Sequence, residues 1–304
     1  MATPIVIRDS AYQKQVPFCS LCFDNSSFFI LHLYMTLLYR ILAALGFFTR
    51  LPFWRITNVP KEYFERVVPL WPLAGWLTGG VMALVFWLCS YILPLNICLI
   101  AAILSRVLLT GALHEDGFAD FCDGFGGGGT RERTLQIMKD SHIGTYGVLG
   151  LILYYLSLYV VLNAILEVEL SHAIFSCFTL NGKYFPVFIP ILFVSADSFS
   201  KWSSSNIINV LPYARTEESA KNKLVYSKMT ATEQIVGMLL GFLPSLLLLD
   251  MRYYLAIAFS FLATLILIRY MYKKIQGYTG DCCGACFIIT EWVFLLTVLV
   301  IEVW

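Results

Sequence analysis

Apolar stretches long enough to cross a bilayer leave this chain few ways to fold. They run near 69–93, 96–113, 144–166, 172–195, 234–249, 253–270 and 284–303. Each approaches the roughly 20 residues that a spanning helix needs. The chain is 59% hydrophobic with a mean hydropathy of +0.73, well above a soluble domain, where about half the residues are apolar. Backbone groups in lipid must be satisfied within their own segment, so helices are expected and open sheet is not. The expected fold is all-α, a polytopic integral membrane bundle of about seven transmembrane helices. Only Asp250-Met251-Arg252 separates the fifth stretch from the sixth, which predicts a tight helical hairpin.

The basic residues predict the orientation. Arg50, Arg55, Lys61 and Arg66 precede the first stretch, and Arg131, Arg133 and Lys139 follow the second. Lys201, Arg215, Lys221, Lys223 and Lys228 follow the fourth, and Arg269, Lys273 and Lys274 close the sixth. With seven spans, all four groups share one side, and Arg252, Glu167 and Glu169 fall on the other. The basic side is expected to be cytoplasmic, in the inner membrane. The net charge of +1 carries less information than this asymmetry. The lipid bilayer is thus one expected partner. Nothing points to nucleic acid, and the oligomeric state, a homo-oligomer included, is left open.

Against a charged fraction of only 13%, residues 113–124 (Leu-His-Glu-Asp-Gly-Phe-Ala-Asp-Phe-Cys-Asp-Gly) stand out. Asp116, Asp120 and Asp123 follow an i, i+4, i+7 spacing that puts them on one face of a helix. Desolvating such neighbours costs several kcal/mol each. A hard divalent cation relieves that cost, and Mg²⁺ prefers oxygen ligands of this kind. Glu115 joins them as a fourth candidate metal ligand, and His114 precedes them as a candidate hydrogen-bond partner. A long apolar segment runs directly into the cluster, which places the expected site at a membrane surface.

The glycine run 126–129 is expected to end that helix, since each helical glycine costs about 1 kcal/mol relative to alanine. Such a run is either a linker or a loop whose N–H groups approach an anion. Thr130 is the expected N-cap of the following helix. Arg131, Arg133 and Lys139 suit phosphate oxygens or the headgroups of anionic lipids. Metal and basic groups together imply a polyphosphate substrate, for which catalysis is mostly positioning and charge neutralisation. Asp140 and His142 are candidate proton-transfer groups.

Two later segments return to the basic face. They are 209–215, ending in Arg215 as a candidate substrate ligand, and 277–285, which contains Asp281. Asp281 suits a helix N-terminus and is equally a candidate catalytic group. Arg106 and Glu291 are ionisable residues inside apolar stretches, a functional hypothesis by default. Their pairing is one option that the sequence leaves open.

Residues 1–34 are read as an N-terminal extension without the order of a signal peptide, and 35–304 as one membrane-embedded domain. Met35 is an alternative translation start, and residues 36–48 are expected in the membrane interface. Nothing in the pattern of the nine cysteines indicates a disulfide framework. Cys19-x-x-Cys22 and Cys282-Cys283-x-x-Cys286 lack a complementary zinc-binding pair, and cysteines within the apolar stretches read as packing residues.

The ordered blocks resemble the cobalamin synthase family of adenosylcobinamide-GDP ribazoletransferases. The resemblance rests on His114–Asp120 with Asp123-Gly124 and the glycine run, and on Arg131-Glu132-Arg133 with Ile137–Gly147. It extends to Leu211–Arg215, Thr279-Gly280-Asp281 with Gly284-Ala285, and Phe48–Pro52, covering roughly 36–304. It implies a Mg²⁺-dependent membrane enzyme of late vitamin B12 assembly. Its substrates would be adenosylcobinamide-GDP and α-ribazole, or the 5′-phosphate of α-ribazole, with GMP released. Glu115 stands where the family commonly has Leu, and His142 where it commonly has Arg. Two other readings compete. A CDP-alcohol phosphatidyltransferase shares Asp120-x-x-Asp123-Gly124, but Gly126-Gly127 stand where Ala-Arg is expected. A transporter would suit Arg106 and Glu291, but no internal repeat is present.

Overall fold

The computed structural model describes residues 25–172, 178–180, 183–215, 226–248 and 250–304. Cys19, Cys22, Lys221 and Lys223 lie outside the described residues, as does most of the expected extension. Among these described residues eleven α-helices follow in order: α1 Asn25–Phe48, α2 Lys61–Glu65, α3 Trp71–Cys89, α4 Leu95–Thr110, α5 Leu113–Gly127, α6 Arg131–Ile137, α7 Thr145–His172, α8 Phe188–Val210, α9 Ala231–Phe242, α10 Tyr254–Ile275 and α11 Gly280–Val303. One short antiparallel strand pair, β1 Phe178–Leu180 and β2 Lys183–Phe185, interrupts the helices between α7 and α8. Residues Tyr39–Trp304 form one compact unit.

Among the described residues five helical stretches are long and apolar enough to cross a membrane: Val68–Cys89, Thr145–Ser171, Ala231–Leu248, Met251–Ile275 and Gly280–Val303. A sixth arises if α4 and α5 count as one span, but they meet at 87°. The chain is a multi-pass helical membrane protein. The expected count of seven therefore becomes five or six among the described residues, for two local reasons. The stretch expected at 96–113 stops at Thr110, because Gly111 and Ala112 both take left-handed backbone angles, φ +67° and +61°. Such a conformation costs a non-glycine residue about 1–2 kcal/mol. The stretch expected at 172–195 is divided between the end of α7, the strand pair and a later helix, α8.

Helix α8 is the centre of the bundle and packs against α3, α9, α10 and α11. Its contact with α3 is close because Gly75 and Gly79 have no side chains. A Cβ on Gly79 would lie 2.6 Å from the Phe193 carbonyl oxygen, and one on Gly75 would lie 2.6 Å from Cα of Ser198. Small-residue packing of this kind replaces the hydrophobic drive that is missing between helices in lipid. The connection expected as a tight hairpin is short, and Asp250 caps the turn by accepting from the Arg252 N–H at 2.8 Å. Both arms, α9 and α10, pack on α8.

Charged residues are buried in the same interior. Arg106 of α4 pairs with Glu291 of α11, and Tyr154 of α7 bonds to both. Lys201 and Asp197 of α8 pair one turn apart, and Thr78 of α3 donates to Asp197 at 2.8 Å. The Lys201 ammonium also lies 4.2 Å from the centre of the Phe287 ring. The pairing of Arg106 with Glu291, left open above, is therefore made.

The helix ends fall into two groups. At one end the α4–α5 bend, the start of α7, the end of α8, the end of α10 and the start of α11 are tied together by the contacts described below. At the other end Tyr253 donates to Glu302 at 2.5 Å, and Glu169 near the end of α7 accepts from the Phe188 N–H at 2.8 Å. Arg50, Arg131, Arg133, Lys139 and Arg215 belong to the first end, and Glu169, Asp250, Arg252 and Glu302 to the second.

Candidate functional site

Helix α5 carries the acidic run as expected. At 100° per residue, Asp116, Asp120 and Asp123 share an arc of about 60°. Asp116 is exposed, Asp120 half-buried and Asp123 buried. Glu115 lies on a different side of the helix, buried beside Tyr155 and within electrostatic reach of Arg106. His114 is also buried, stacked on Phe48 at 5.6 Å and tilted against Phe287 at 4.1 Å.

Two glycines bring Asp281 to this helix. A Cβ on Gly117 would lie 3.1 Å from Cα of Asp281, and one on Gly284 would lie 3.1 Å from the His114 carbonyl oxygen. The first turn of α11 therefore touches α5 between Asp116 and Asp120. Thr279 donates to Asp281 at 3.3 Å.

The helix continues through Gly126 and Gly127 and ends at Gly128, later than the glycine run implies. A Cβ on Gly126 would meet the Tyr146 ring at 2.8 Å, so packing on that ring accounts for glycine there. Thr130 is the N-cap of α6, as expected, and accepts from the Arg133 N–H at 3.2 Å. Beyond α6, Asp123 accepts from the N–H groups of Gly144 at 2.7 Å and Gly147 at 2.9 Å. This contact folds the turn carrying Asp140 and His142 back onto α5. Within that turn, His142 Nδ1 lies 2.7 Å from Asp140 Oδ1, with 91% and 58% of their side chains exposed. Both groups thus face outward, where a substrate can reach them. The hydrogen bond from His142 holds the Asp140 carboxyl below its usual range.

The later segments meet at the same end. Ala214 donates to the Tyr278 carbonyl at 2.8 Å, and Tyr278 donates to that of Pro212 at 3.0 Å. Gly277 admits this approach, because a Cβ there would lie 2.4 Å from the Pro212 oxygen. Arg131 bridges both segments, donating from Nε to the Ile275 carbonyl at 2.9 Å and from Nη2 to that of Ala214 at 2.8 Å. Arg215 donates to the Leu135 carbonyl at 3.2 Å. These two arginines therefore hold backbone segments together. Arg133 and Lys139 are exposed, and Arg133 bonds to Gln136 of its own helix at 2.9 Å. Burial pushes the Tyr213 hydroxyl above its usual range, and the charge of Asp281 adds to the shift.

The donor chemistry around α5 suits a hard cation. No three His, Cys, Asp or Glu side chains among the described residues are grouped closely enough to enclose one. Mg²⁺ does not need such a cage, because one or two carboxylates commonly hold it together with substrate phosphates and water. The exposed Asp116 and half-buried Asp120 fit that mode. A cleft of about 370 Å³ near Trp87, Pro190, Val194 and Leu247 lies at the other end of the bundle and is apolar.

The family model of cobalamin-5-phosphate synthase matches residues 40–299. The chain belongs to that family. Its curated relatives include adenosylcobinamide-GDP ribazoletransferases from three Shewanella species. That of Shewanella baltica is 36% identical over 265 residues, covering 86% of this chain and 93% of its own. That of Shewanella amazonensis is 35% identical over 261 residues, covering 86% and 94%. That of Shewanella frigidimarina is 33% identical over 259 residues, covering 85% and 93%. No solved structure matches. As a cobalamin-5-phosphate synthase family member, the chain is a transferase of cobalamin biosynthesis. The family match spans α5, α6, the turn at 140–147 and both later segments, and so includes every candidate site residue.

The sequence blocks contain Gly117, Gly277, Gly284 and Tyr213 but give none of them a role of its own. Gly117 could have been noticed as a glycine inside an acidic helix, but its partner Asp281 lies 164 positions away in the chain. Arg50 counted toward topology and within the Phe48–Pro52 block, with no role of its own. Its guanidinium lies against Gly111 at the α4–α5 bend, where a Cβ would fall within 2.0 Å of Nε.

Proposed function

We propose that this chain transfers the adenosylcobinamide-phosphate group of adenosylcobinamide-GDP to α-ribazole, or to its 5′-phosphate, and releases GMP. The relatives' names supply the substrates. The structural observation that carries the reading is the meeting of α5, α6, the 140–147 turn and the two later segments at one basic end of a membrane bundle. In the reaction a hydroxyl oxygen of α-ribazole bonds to the cobinamide-side phosphorus. The bond from that phosphorus to the bridging oxygen breaks, and GMP leaves with that oxygen.

Asp116 and Asp120 are the residues that would hold Mg²⁺, with Asp281 at the crossing of α11 on the same helix. A bound Mg²⁺ would supply charge neutralisation for the diphosphate and for the leaving phosphate. Arg133 and Lys139, both exposed, bind phosphate oxygens. Arg131 and Arg215 support the site by tying the later segments to α6. Asp140 accepts from His142 and orients its ring, and the ring takes the proton of the attacking hydroxyl. The excess of Lys and Arg at this end supports a cytoplasmic site on a bundle in the inner membrane.

The test uses purified protein in detergent with adenosylcobinamide-GDP and α-ribazole, with and without Mg²⁺, following products by chromatography. GMP together with a cobalamin product, formed only with Mg²⁺, supports the proposal. Folded protein that yields neither product contradicts it.

A further inference from the structure

The first N–H groups of an α-helix have no partner within the helix. At the start of α7, two such groups are taken by a residue from another helix. Gly144 and Gly147 donate to the two oxygens of Asp123 at 2.7 and 2.9 Å. Asp123 is only 7% exposed. A Cβ on Gly144 would lie 2.4 Å from Oδ1 and one on Gly147 2.5 Å from Oδ2, so glycine is what admits the carboxylate. The contact continues along both helices, with Gly126 against Tyr146 and Gly150 against Cys122.

The chain uses the same device at its other end. There the buried Glu169 of α7 accepts from the N–H groups of Phe188 at 2.8 Å and Ile189 at 3.3 Å, at the start of α8. None of the candidate site residues is near Glu169, so capping alone accounts for that carboxylate. The positive end of a helix stabilises a carboxylate without a cation.

We propose that Asp123 is a positioning residue and not a metal ligand. It fastens the 140–147 turn, which carries Asp140 and His142, to the helix of Asp116 and Asp120, and leaves the cation to those two carboxylates. The proposal rests on reading the exposed face of α5 as the reaction site.

Hydrogen exchange with mass spectrometry on the metal-free full chain tests the cap without substrate. Asp123→Ala should speed exchange in peptides covering 142–150 by about tenfold or more, and Asp123→Asn by less. Asp116→Asn should leave those peptides unchanged. Gly147→Ala, which crowds the carboxylate from the other side, should reproduce the change if Asp123→Ala fails to fold. The second measurement is the Mg²⁺ concentration that half-saturates GMP formation. Asp123→Asn should keep it within about twofold of the unaltered protein while lowering kcat, whereas Asp116→Asn should raise it about tenfold. Unchanged exchange in folded Asp123→Ala, or a Mg²⁺ requirement that rises in Asp123→Asn as in Asp116→Asn, overturns the proposal. If the unaltered protein forms no GMP, the reaction assignment fails, and the exchange result still decides whether Asp123 is the cap.

Discussion

Arg106 on α4 and Glu291 on α11 are paired within the bundle, and the Tyr154 hydroxyl of α7 joins them. It accepts from Arg106 at 2.8 Å and donates to Glu291 at 3.0 Å. Three helices therefore share one buried polar knot below the bend that leads into α5. Removing one partner strands a buried charge, which costs about 3–5 kcal/mol. Glu291→Ala should therefore lower the unfolding temperature in detergent sharply. The Arg106→Leu, Glu291→Leu double variant should recover most of the loss. A single variant as stable as the unaltered protein would mean that the pair does not hold the helices.

The α5–α11 crossing depends on Gly117. Gly117→Val would push against the backbone of Asp281, and overpacking of this kind costs about 1–3 kcal/mol. Protein should still insert into the membrane, but GMP formation should fall by about tenfold or more, as misplacement in an active site predicts. Normal turnover in Gly117→Val would show that the approach of Asp281 to α5 does not matter for the reaction.

Arg131 spends two donors on the carbonyls of Ile275 and Ala214. Lysine is a point charge and cannot reproduce that fork. Arg131→Lys should behave like Arg131→Ala, with faster hydrogen exchange in 211–215 and 275–279 and reduced turnover. Full rescue by lysine would make charge, not the fork, the function of this residue.

Asp140 has a carboxyl held below its ordinary range by His142. A carboxylate with a lowered pKa stays ionised above the usual value of about 3.9 and protonates only further into acid. Asp140 therefore does not titrate between pH 5 and 8. Asp140→Asn should lower the rate across that window, and an acid limb of the pH–activity profile should persist in it. A limb that disappears in Asp140→Asn would identify Asp140 as the titrating group.

Much of this site is written in local spacing. The i, i+4, i+7 carboxylates fall on one helix face, Thr130 caps α6, and the basic segments gather at one end, because each depends only on neighbours in the chain or on connectivity. What the sequence hides is tertiary. Ala112 adopts a left-handed conformation that no alanine advertises, so a span expected at 96–113 turns through 87°. The apolar run expected at 172–195 reads as one helix by hydropathy, yet a strand pair separates α7 from α8. Arg131 and Arg215 look like phosphate ligands by type, but their partners are backbone carbonyls from distant segments. Glu115 sits beside Asp116 in sequence and on another side of the helix in space. Asp123 belongs to the carboxylate face by period, and only the fold reveals the two glycine N–H groups that it holds.

The most direct test of the account compares GMP formation by the unaltered protein and by Asp120→Asn across a Mg²⁺ titration, with adenosylcobinamide-GDP and α-ribazole supplied to both. The account predicts Mg²⁺-dependent GMP and cobalamin product from the unaltered protein. It predicts a loss of at least about a hundredfold in folded, membrane-inserted Asp120→Asn, a typical scale for removing charge stabilisation at a reacting phosphate. Comparable GMP formation by both proteins, with the same Mg²⁺ dependence, would contradict the assignment of the acidic face of α5 as the reaction site.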